Sequence, residues 1–270
     1  MQQVEEALLQ VEKIVLSSGI ENDIIYFNYH KKRFHKMGET VSRMVPPGSS
    51  VLDIGSHYLH SSLLLQLLGY KVVSMDVSEF WELDYIRQRA ADHQLTPVIE
   101  NQLEHLGSLS EEKDQYDLIL FTEIFEHITF NPIAFWKRIH TLIKNKGKIY
   151  ITTPNAITLY AIVKTLFNLI TFRGIGMDVK AIFPTVTYGH HWKEYSTSEI
   201  KSYFNMLNDG LHLDIQKFQY KPTETAHHWK SSLRILLTKM SNAIPFFREA
   251  MEVVVTVDKS YPWKINPPKY

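Results

Sequence analysis

Two short apolar runs, Val51-Leu52-Asp53-Ile54-Gly55-Ser56 and Val72-Val73-Ser74-Met75-Asp76, constrain this chain more than any other feature. Each reads as a buried strand that delivers a polar group at its carboxyl end, where open α/β sheets hold their ligands. Gly55 lets the backbone approach a ligand closely. Asp76, about 20 residues on, is spaced to accept hydrogen bonds from a ribose diol, so a nucleoside-bearing cofactor is the first expectation. Strands that end in an Asp-x-Gly turn also occur with no ligand, so the order of the following elements has to decide.

That order is regular. Tyr116 to Glu123 is another apolar run ending in polar residues, Ile124 to Ile143 reads as helix, and Gly147 to Asn155 as a further strand. Asn131-Pro132 is a good helix start. Lys144-Asn145-Lys146-Gly147 gives the matching stop, with cations at the negative helix end followed by glycine. Upstream, residues 1–18 and 23–44 read as helices, then Pro46-Pro47-Gly48 punctuates the entry to the first strand. Helix Leu59 to Leu68, strand 71–75, helix Phe80 to Asp92 and a short strand Pro97 to Ile99 follow. Ser196-Thr197-Ser198-Glu199 is a capping box opening a helix to Leu207. Strands near 211–219 and 250–257 close the sheet.

On these residues the chain resembles the class I S-adenosylmethionine (SAM) dependent methyltransferases over about residues 45–220. The resemblance is carried by Val51 to Gly55, Asp76, Tyr116 to Ile128 with its Glu-His-Ile ending, the Lys-Gly-Lys turn before Thr152-Thr153-Pro154-Asn155, and His190-His191-Trp192-Lys193-Glu194-Tyr195. It implies a Rossmann-like, doubly wound seven-stranded α/β sheet with an antiparallel last strand. An N-terminal helical cap over 1–45 would precede a methyltransferase domain over 46–270, with a lid at 156–190 and an insertion at 220–249. It further implies that Asp53, Gly55, Ser56 and His57 hold the methionine part of SAM and Asp76 the ribose. Gln102 would meet the adenine edge, Arg33 the cofactor carboxylate, and Val77 and Thr122 would line the same cleft. The family's Gly-x-Gly-x-Gly turn keeps only its first glycine in Gly55-Ser56-His57-Tyr58-Leu59. A dinucleotide-binding fold suffers more from that loss, because it needs the later glycines for pyrophosphate approach and helix packing.

Methyl transfer from a sulfonium needs no acid at the leaving group, so the protein aligns the acceptor and, for a hydroxyl, helps remove its proton. Glu123, Glu126, His127, His190 and His191 are the candidates, with Glu123, Glu126 and His127 spaced to share one helical face. Glu-x-x-Glu-His followed by His191-Trp192-Lys193-Glu194-Tyr195-Ser196 is similar to the small-RNA 3′-end 2′-O-methyltransferases, where two glutamates and two histidines hold a divalent metal. The matching residues are Glu123, Glu126, His127 and His191. The same Glu-x-x-Glu-His-Ile occurs in small-molecule enzymes such as the ubiquinone-biosynthesis O-methyltransferases, so a metal stays one alternative. The expectation is O-methylation of a small-molecule hydroxyl, on a glycan or secondary metabolite, with His191, Glu123 and His127 facing the acceptor. A metal-dependent RNA 3′-end methyltransferase and a non-catalytic partner protein with a SAM fold are the alternatives.

Composition bounds the rest. A chain of 270 residues with 44% hydrophobic content suits one large domain with additions. Its formal net charge of +0 gives no general attraction for nucleic acid. The absence of Cys excludes disulfides and thiolate metal sites and fits a reducing, cytoplasmic setting. Met1-Gln2-Gln3-Val4-Glu5-Glu6 lacks the basic and apolar regions of a secretory signal. Ala156 to Phe172 is apolar and leads to Gly174 and Gly176, as a hinged lid over the acceptor would be. Residues 227–240 form a basic amphipathic stretch that either touches a membrane surface or covers the sheet edge. The oligomeric state is not legible.

Overall fold

Apolar runs in the parallel strands send successive side chains to opposite faces, and with apolar residues at every third or fourth helical position they sort this chain onto two faces of one sheet. The computed structural model describes residues 2–174, 176, 179–184, 189–222 and 229–268. Two helices come first, α1 (Gln2–Ser17) and α2 (Glu21–Met44). Then follow β1 (Ser50–Ile54), α3 (His60–Leu67), β2 (Lys71–Asp76), α4 (Ser78–Trp81), α5 (Asp84–Asp92), β3 (Thr96–Ile99), β4 (Tyr116–Thr122), α6 (Pro132–Leu142) and β5 (Ile143–Pro154). The remainder is α7 (Leu159–Ile170), α8 (Val179–Ile182), α9 (Thr197–Leu207), β6 (Leu211–Phe218), α10 (Trp229–Ala243) and β7 (Ala250–Val257).

The strand order is β3-β2-β1-β4-β5-β7-β6. Strands β1 to β5 run parallel, and β7 pairs antiparallel with both β5 and β6. This is the doubly wound sheet with an antiparallel last strand that the resemblance implied. The order reverses between β1 and β4, and a ligand crevice forms at such a point, outside the carboxyl ends of the strands.

Alternation builds the two cores. Leu52 and Ile54 of β1, Ile119 and Phe121 of β4, and Ile149 and Ile151 of β5 join one buried cluster with α6 and α9. Val51, Leu118, Leu120 and Tyr150 point the other way, into a cluster with α1, α2 and α3. Helix α2 contributes Phe27, Phe34, Met37 and Val41 to that second cluster, all buried, each worth about 1.5–3 kcal/mol on removal from water. Two buried polar sets also hold α2. Glu252 of β7 accepts from Thr40 and Tyr150 hydroxyls, each at 2.8 Å, and pairs with Lys36 at 3.0 Å. Asp23, at the start of α2, pairs with His60 of α3 at 2.7 Å and Arg89 of α5 at 2.5 Å.

Several local expectations hold. Asn131 caps α6 through Ile133 N at 3.2 Å with Pro132 in the first turn, and Ser196 and Glu199 form both halves of their capping box. Others are corrected. Ile124 to Asn131 is not helix: Glu123 has φ 55°, Phe125–His127 is a 3-10 turn, and α6 starts only at Pro132, where the capped residue allows it. The stretch Phe80 to Asp92 is split into α4 and α5. The Lys144-Asn145-Lys146-Gly147 stop lies inside β5, because α6 ends at Leu142. There Lys144 pairs with Asp117 and Lys146 with Asp258. Gly147 is required for a different reason: a Cβ there would stand 2.6 Å from Ile143 Cγ1 and 2.9 Å from the Lys144 carbonyl. Among the described residues no helix is long and apolar enough to cross a membrane.

Candidate active site

The turn leaving β1 passes through left-handed backbone at Gly55 (φ 70°), His57 (φ 49°) and Leu59 (φ 67°). These are the three positions of the Gly-x-Gly-x-Gly pattern. The loop is left-handed at all three, with side chains at two of them, at a cost of about 1–2 kcal/mol each. Local contacts offset the cost. The His57 N–H donates to Asp76 Oδ2 at 2.6 Å, and its ring packs against Tyr26, Tyr58 and Phe80 with centroids 4.5, 4.0 and 4.3 Å away. Burial pushes the imidazole down to about 3, so it is neutral at physiological pH. At Gly55 a Cβ would combine the left-handed backbone with a contact of 2.3 Å to Ile124 Cδ1, which would have to move.

Two carboxylates flank this turn. Asp53 accepts from Ser61 and Ser62 hydroxyls at 2.6 and 2.7 Å, and Asp76 accepts from the backbone N–H groups of His57 and Val77. Burial pushes each up to about 6. Arg33 of α2 is buried too, and among the described residues no carboxylate pairs with it within 4.0 Å. It donates to the Tyr26 hydroxyl at 3.4 Å and stacks over the rings of Phe34 and Tyr220. Burial opposes its charge, yet the surrounding tyrosines and Glu123 outweigh this and hold it above its ordinary value.

Among the described residues, five of the fourteen buried side-chain polar atoms without partners belong to this crevice: Arg33 Nε, Asp53 Oδ1, Ser56 Oγ, His57 Nδ1 and Glu123 Oε1. Buried polar groups are nearly always satisfied, so a cluster of orphans marks a place where a polar ligand completes the bonding. Thr122 closes β4 in register with Thr152, beside this group. Gln102 has an exposed side chain just beyond β3, where its neighbour Asn101 accepts from Ser78 N at 2.8 Å.

A second cluster lies at the turn that follows β4. The Trp192 N–H donates to the Glu126 carbonyl at 2.9 Å, and Asn155 bridges to Tyr195, so the segment after β5 is laid against the 3-10 turn. His127 Nδ1 then bonds the His190 carbonyl at 2.8 Å, and His191 Nδ1 bonds Glu194 Oε1 at 3.1 Å. The two rings are thereby held 4.9 Å apart by centroid, with His127 Nε2 3.9 Å from Glu126 Oε1. Glu126 is buried and takes Thr153 Oγ1 at 2.9 Å on one oxygen. Burial, then the charge of Glu123, drives its pKa upward. His191 is raised, first by its bond to Glu194 and then by Glu126 and Glu123, whereas burial lowers His127.

Glu126, His127 and His191 place one ligand-type atom each within 4.8 Å of one another. Glu123 is outside that group: its Oε2 accepts from the Tyr220 hydroxyl at 2.9 Å, so it belongs with Arg33 and Tyr26. The expected common helical face of Glu123, Glu126 and His127 fails because the left-handed Glu123 turns the chain between them. The four-residue metal pattern is therefore three residues here. Tyr220 was missed, and nothing in its sequence neighbourhood marks it, since its partner is 97 residues away. His227 and His228 lie outside the described residues; the amphipathic helix itself starts at Trp229.

A doubly wound sheet with an acid at the end of β2, a glycine turn after β1 and orphaned polar groups between them defines a nucleoside-cofactor transferase of the class I methyltransferase type. The methyltransferase domain family model matches residues 29–208, and the chain belongs to that family. No curated protein matches by sequence. Among solved structures, a protein from Pyrococcus horikoshii aligns with TM-score 0.53 and 13% identity over 85% of this chain and 91% of that one. A SAM-dependent methyltransferase from Archaeoglobus fulgidus aligns with TM-score 0.50 and 17% identity over 86% and 99%. A Haemonchus contortus phosphoethanolamine N-methyltransferase in complex with SAM aligns with TM-score 0.50 and 12% identity over 83% of this chain and 53% of that one. At these identities the likeness is one of fold.

Proposed function

We propose that this protein transfers the methyl group of SAM to a hydroxyl of a small molecule, with a glycan or secondary metabolite as acceptor. The observation that carries the donor side is the set of orphaned buried atoms around the β1 turn. An unpaired guanidinium matches the carboxylate of SAM in a two-pronged bond. Asp76, already fixed by two backbone donors, still has lone pairs for the ribose hydroxyls. Asp53, Gly55, Ser56 and His57 then face the methionine arm, Val77 and Gln102 the adenosine, and Thr122 the strand end beneath.

On the acceptor side, Glu194 holds His191 with Nε2 as the free base, since Nδ1–H is committed to the carboxylate. The acceptor oxygen attacks the methyl carbon, the carbon–sulfur bond breaks toward sulfur, and the hydroxyl proton passes to His191. Glu123 lies between the two clusters and stabilises the charge on both Arg33 and His191. His127 lines the same wall.

The test is calorimetric titration with SAM and S-adenosylhomocysteine, followed by transfer of labelled methyl to a panel of hydroxylated glycans and phenols. Asp76→Ala is expected to weaken SAM binding by about 10- to 100-fold, the value of lost hydrogen bonds to a charged group. Absence of heat with either compound would identify a non-catalytic partner protein instead. A salt-sensitive shift of RNA would revive the RNA methyltransferase reading.

A second reading rests on Glu126 Oε1, which accepts no hydrogen bond among the described residues and lies with one nitrogen each of His127 and His191 within 4.8 Å. Glu126, His127 and His191 would hold a divalent ion, with His190 and Glu194 orienting the rings in the manner of outer-shell partners. Such an ion would make an acceptor hydroxyl more acidic. Titration with Mg²⁺, Mn²⁺ and Zn²⁺ checks it: heat that disappears in Glu126→Gln supports the reading, and no heat with any of the three ends it.

A further inference from the structure

Helices α7 and α10 pack on one another and leave an unusual surface. None of the twelve residues of α7 is buried. Leu166, Phe167 and Ile170 are exposed along it, and Phe172 just beyond is 96% exposed. Along α10, Leu233, Leu236 and Met240 are exposed at helical spacing, with Phe246 following. Isolated exposed apolar residues are ordinary, but a contiguous group of this size marks a contact surface.

Charge identifies the contact. In sequence, residues 156–176 and 229–248 contain no Asp or Glu, and among the described side chains Lys164, Arg173, Lys239 and Arg248 stand with the apolar residues. Arg173 covers the ring of Phe167 at 5.5 Å. A second copy of this chain would bring cations against cations across a two-fold axis. Apolar residues interleaved with Lys and Arg, free of acids, match the interface of an anionic bilayer, which takes up apolar side chains and attracts each cation. A cavity of about 390 Å³ between the two helices has Lys164, Lys221 and Lys239 in its wall together with two acids, Glu249 and Glu194, the latter the partner of His191.

We propose that α7 and α10 dock this protein on an anionic membrane surface, with the cavity mouth facing the lipid headgroups. The proposal is independent of the acceptor chemistry above. The full chain is to be sedimented with vesicles of equimolar phosphatidylglycerol and phosphatidylcholine, and with vesicles of phosphatidylcholine alone. Partition is expected to be at least about 100-fold stronger on the anionic vesicles and to weaken in high salt. Ile170→Asp/Phe172→Asp is expected to lower it at least about tenfold, because both side chains would have to enter the apolar boundary. Both positions are exposed, so unchanged circular dichroism and SAM titration would show that the variant is folded. No partition of the wild type on anionic vesicles, or equal partition of the variant, overturns the proposal. Self-association of the wild type that the double variant abolishes, without vesicle binding, would assign the face to a second copy instead.

Discussion

His191→Ala is expected to lower turnover by about 10²- to 10⁴-fold, the usual contribution of a positioned base, while leaving SAM affinity nearly unchanged. The separation follows from position. His191 touches Glu194 and faces His127 and Glu126, whereas the orphaned atoms read as the donor site lie around Arg33 and the β1 turn. Comparison of labelled-methyl transfer with calorimetric SAM titration reads both quantities on one preparation. Normal turnover in the variant would show that His191 is not the base. The pH profile provides a second check. The bond to Glu194, helped by Glu126 and Glu123, raises His191 above its ordinary 6.5. The base is the neutral imidazole, so the wild-type rate rises with pH through a midpoint above 6.5. Glu194→Gln removes the first and largest cause, so that midpoint should move down while the fold and SAM affinity stay.

The sheet was legible because its signals are local and redundant. Val51 to Ile54, Lys71 to Asp76 and Tyr116 to Thr122 are apolar on both faces, as parallel strands covered on both sides must be, and Asn131 and Ser196 announce their helices by capping. The crevice around the β1 turn was legible to the extent that Gly55 and Asp76 sit at strand ends. What was not legible depends on backbone conformations that residue identity does not reveal. Ile124 to Ile128 is apolar enough to extend a helix, but the backbone is left-handed at Glu123 and extended at Ile128 and at the capping Asn131, so only a 3-10 turn forms there. Glu123 then turns its carboxylate to Tyr220 and leaves Glu126, His127 and His191 as the closer group, while its charge still acts on Glu126 and His191. His57 and Leu59 hide a glycine-type turn under bulky side chains, because packing on Tyr26 and Phe80 offsets the strain. Tyr220 reaches Glu123 only through the return of β6, a contact with no local trace.

Asp23→Ala is expected to destabilise the fold by about 3–5 kcal/mol, the cost of leaving a buried charge without its partner. Asp23 is fully buried and joins the start of α2 to His60 at 2.7 Å and to Arg89 at 2.5 Å, while Arg89 also holds the Tyr58 carbonyl at 2.8 Å. Its loss strands the Arg89 guanidinium beneath the turn that carries His57. Chemical denaturation measures the effect, and Asp23→Ala/Arg89→Met is expected to recover part of it by removing the stranded charge as well. A single variant within about 0.5 kcal/mol of wild type would show that the pair contributes no more than a surface bridge. The pH dependence has a definite sign. Burial alone would raise Asp23, but hydrogen bonds from His60 and Arg89 reverse this and its pKa lies below 3.8. The stabilisation is therefore complete above pH 3.8 and is lost as pH falls through the folded value. Burial, against the pull of Asp23, lowers His60 below 6.5, so the unfolded chain takes up a proton there that the folded imidazole refuses, and stability starts to fall below pH 6.5. Asp23→Ala removes the lower of these two steps, and because α2 also carries Arg33 and Tyr26, the same variant should bind SAM more weakly even where it remains folded.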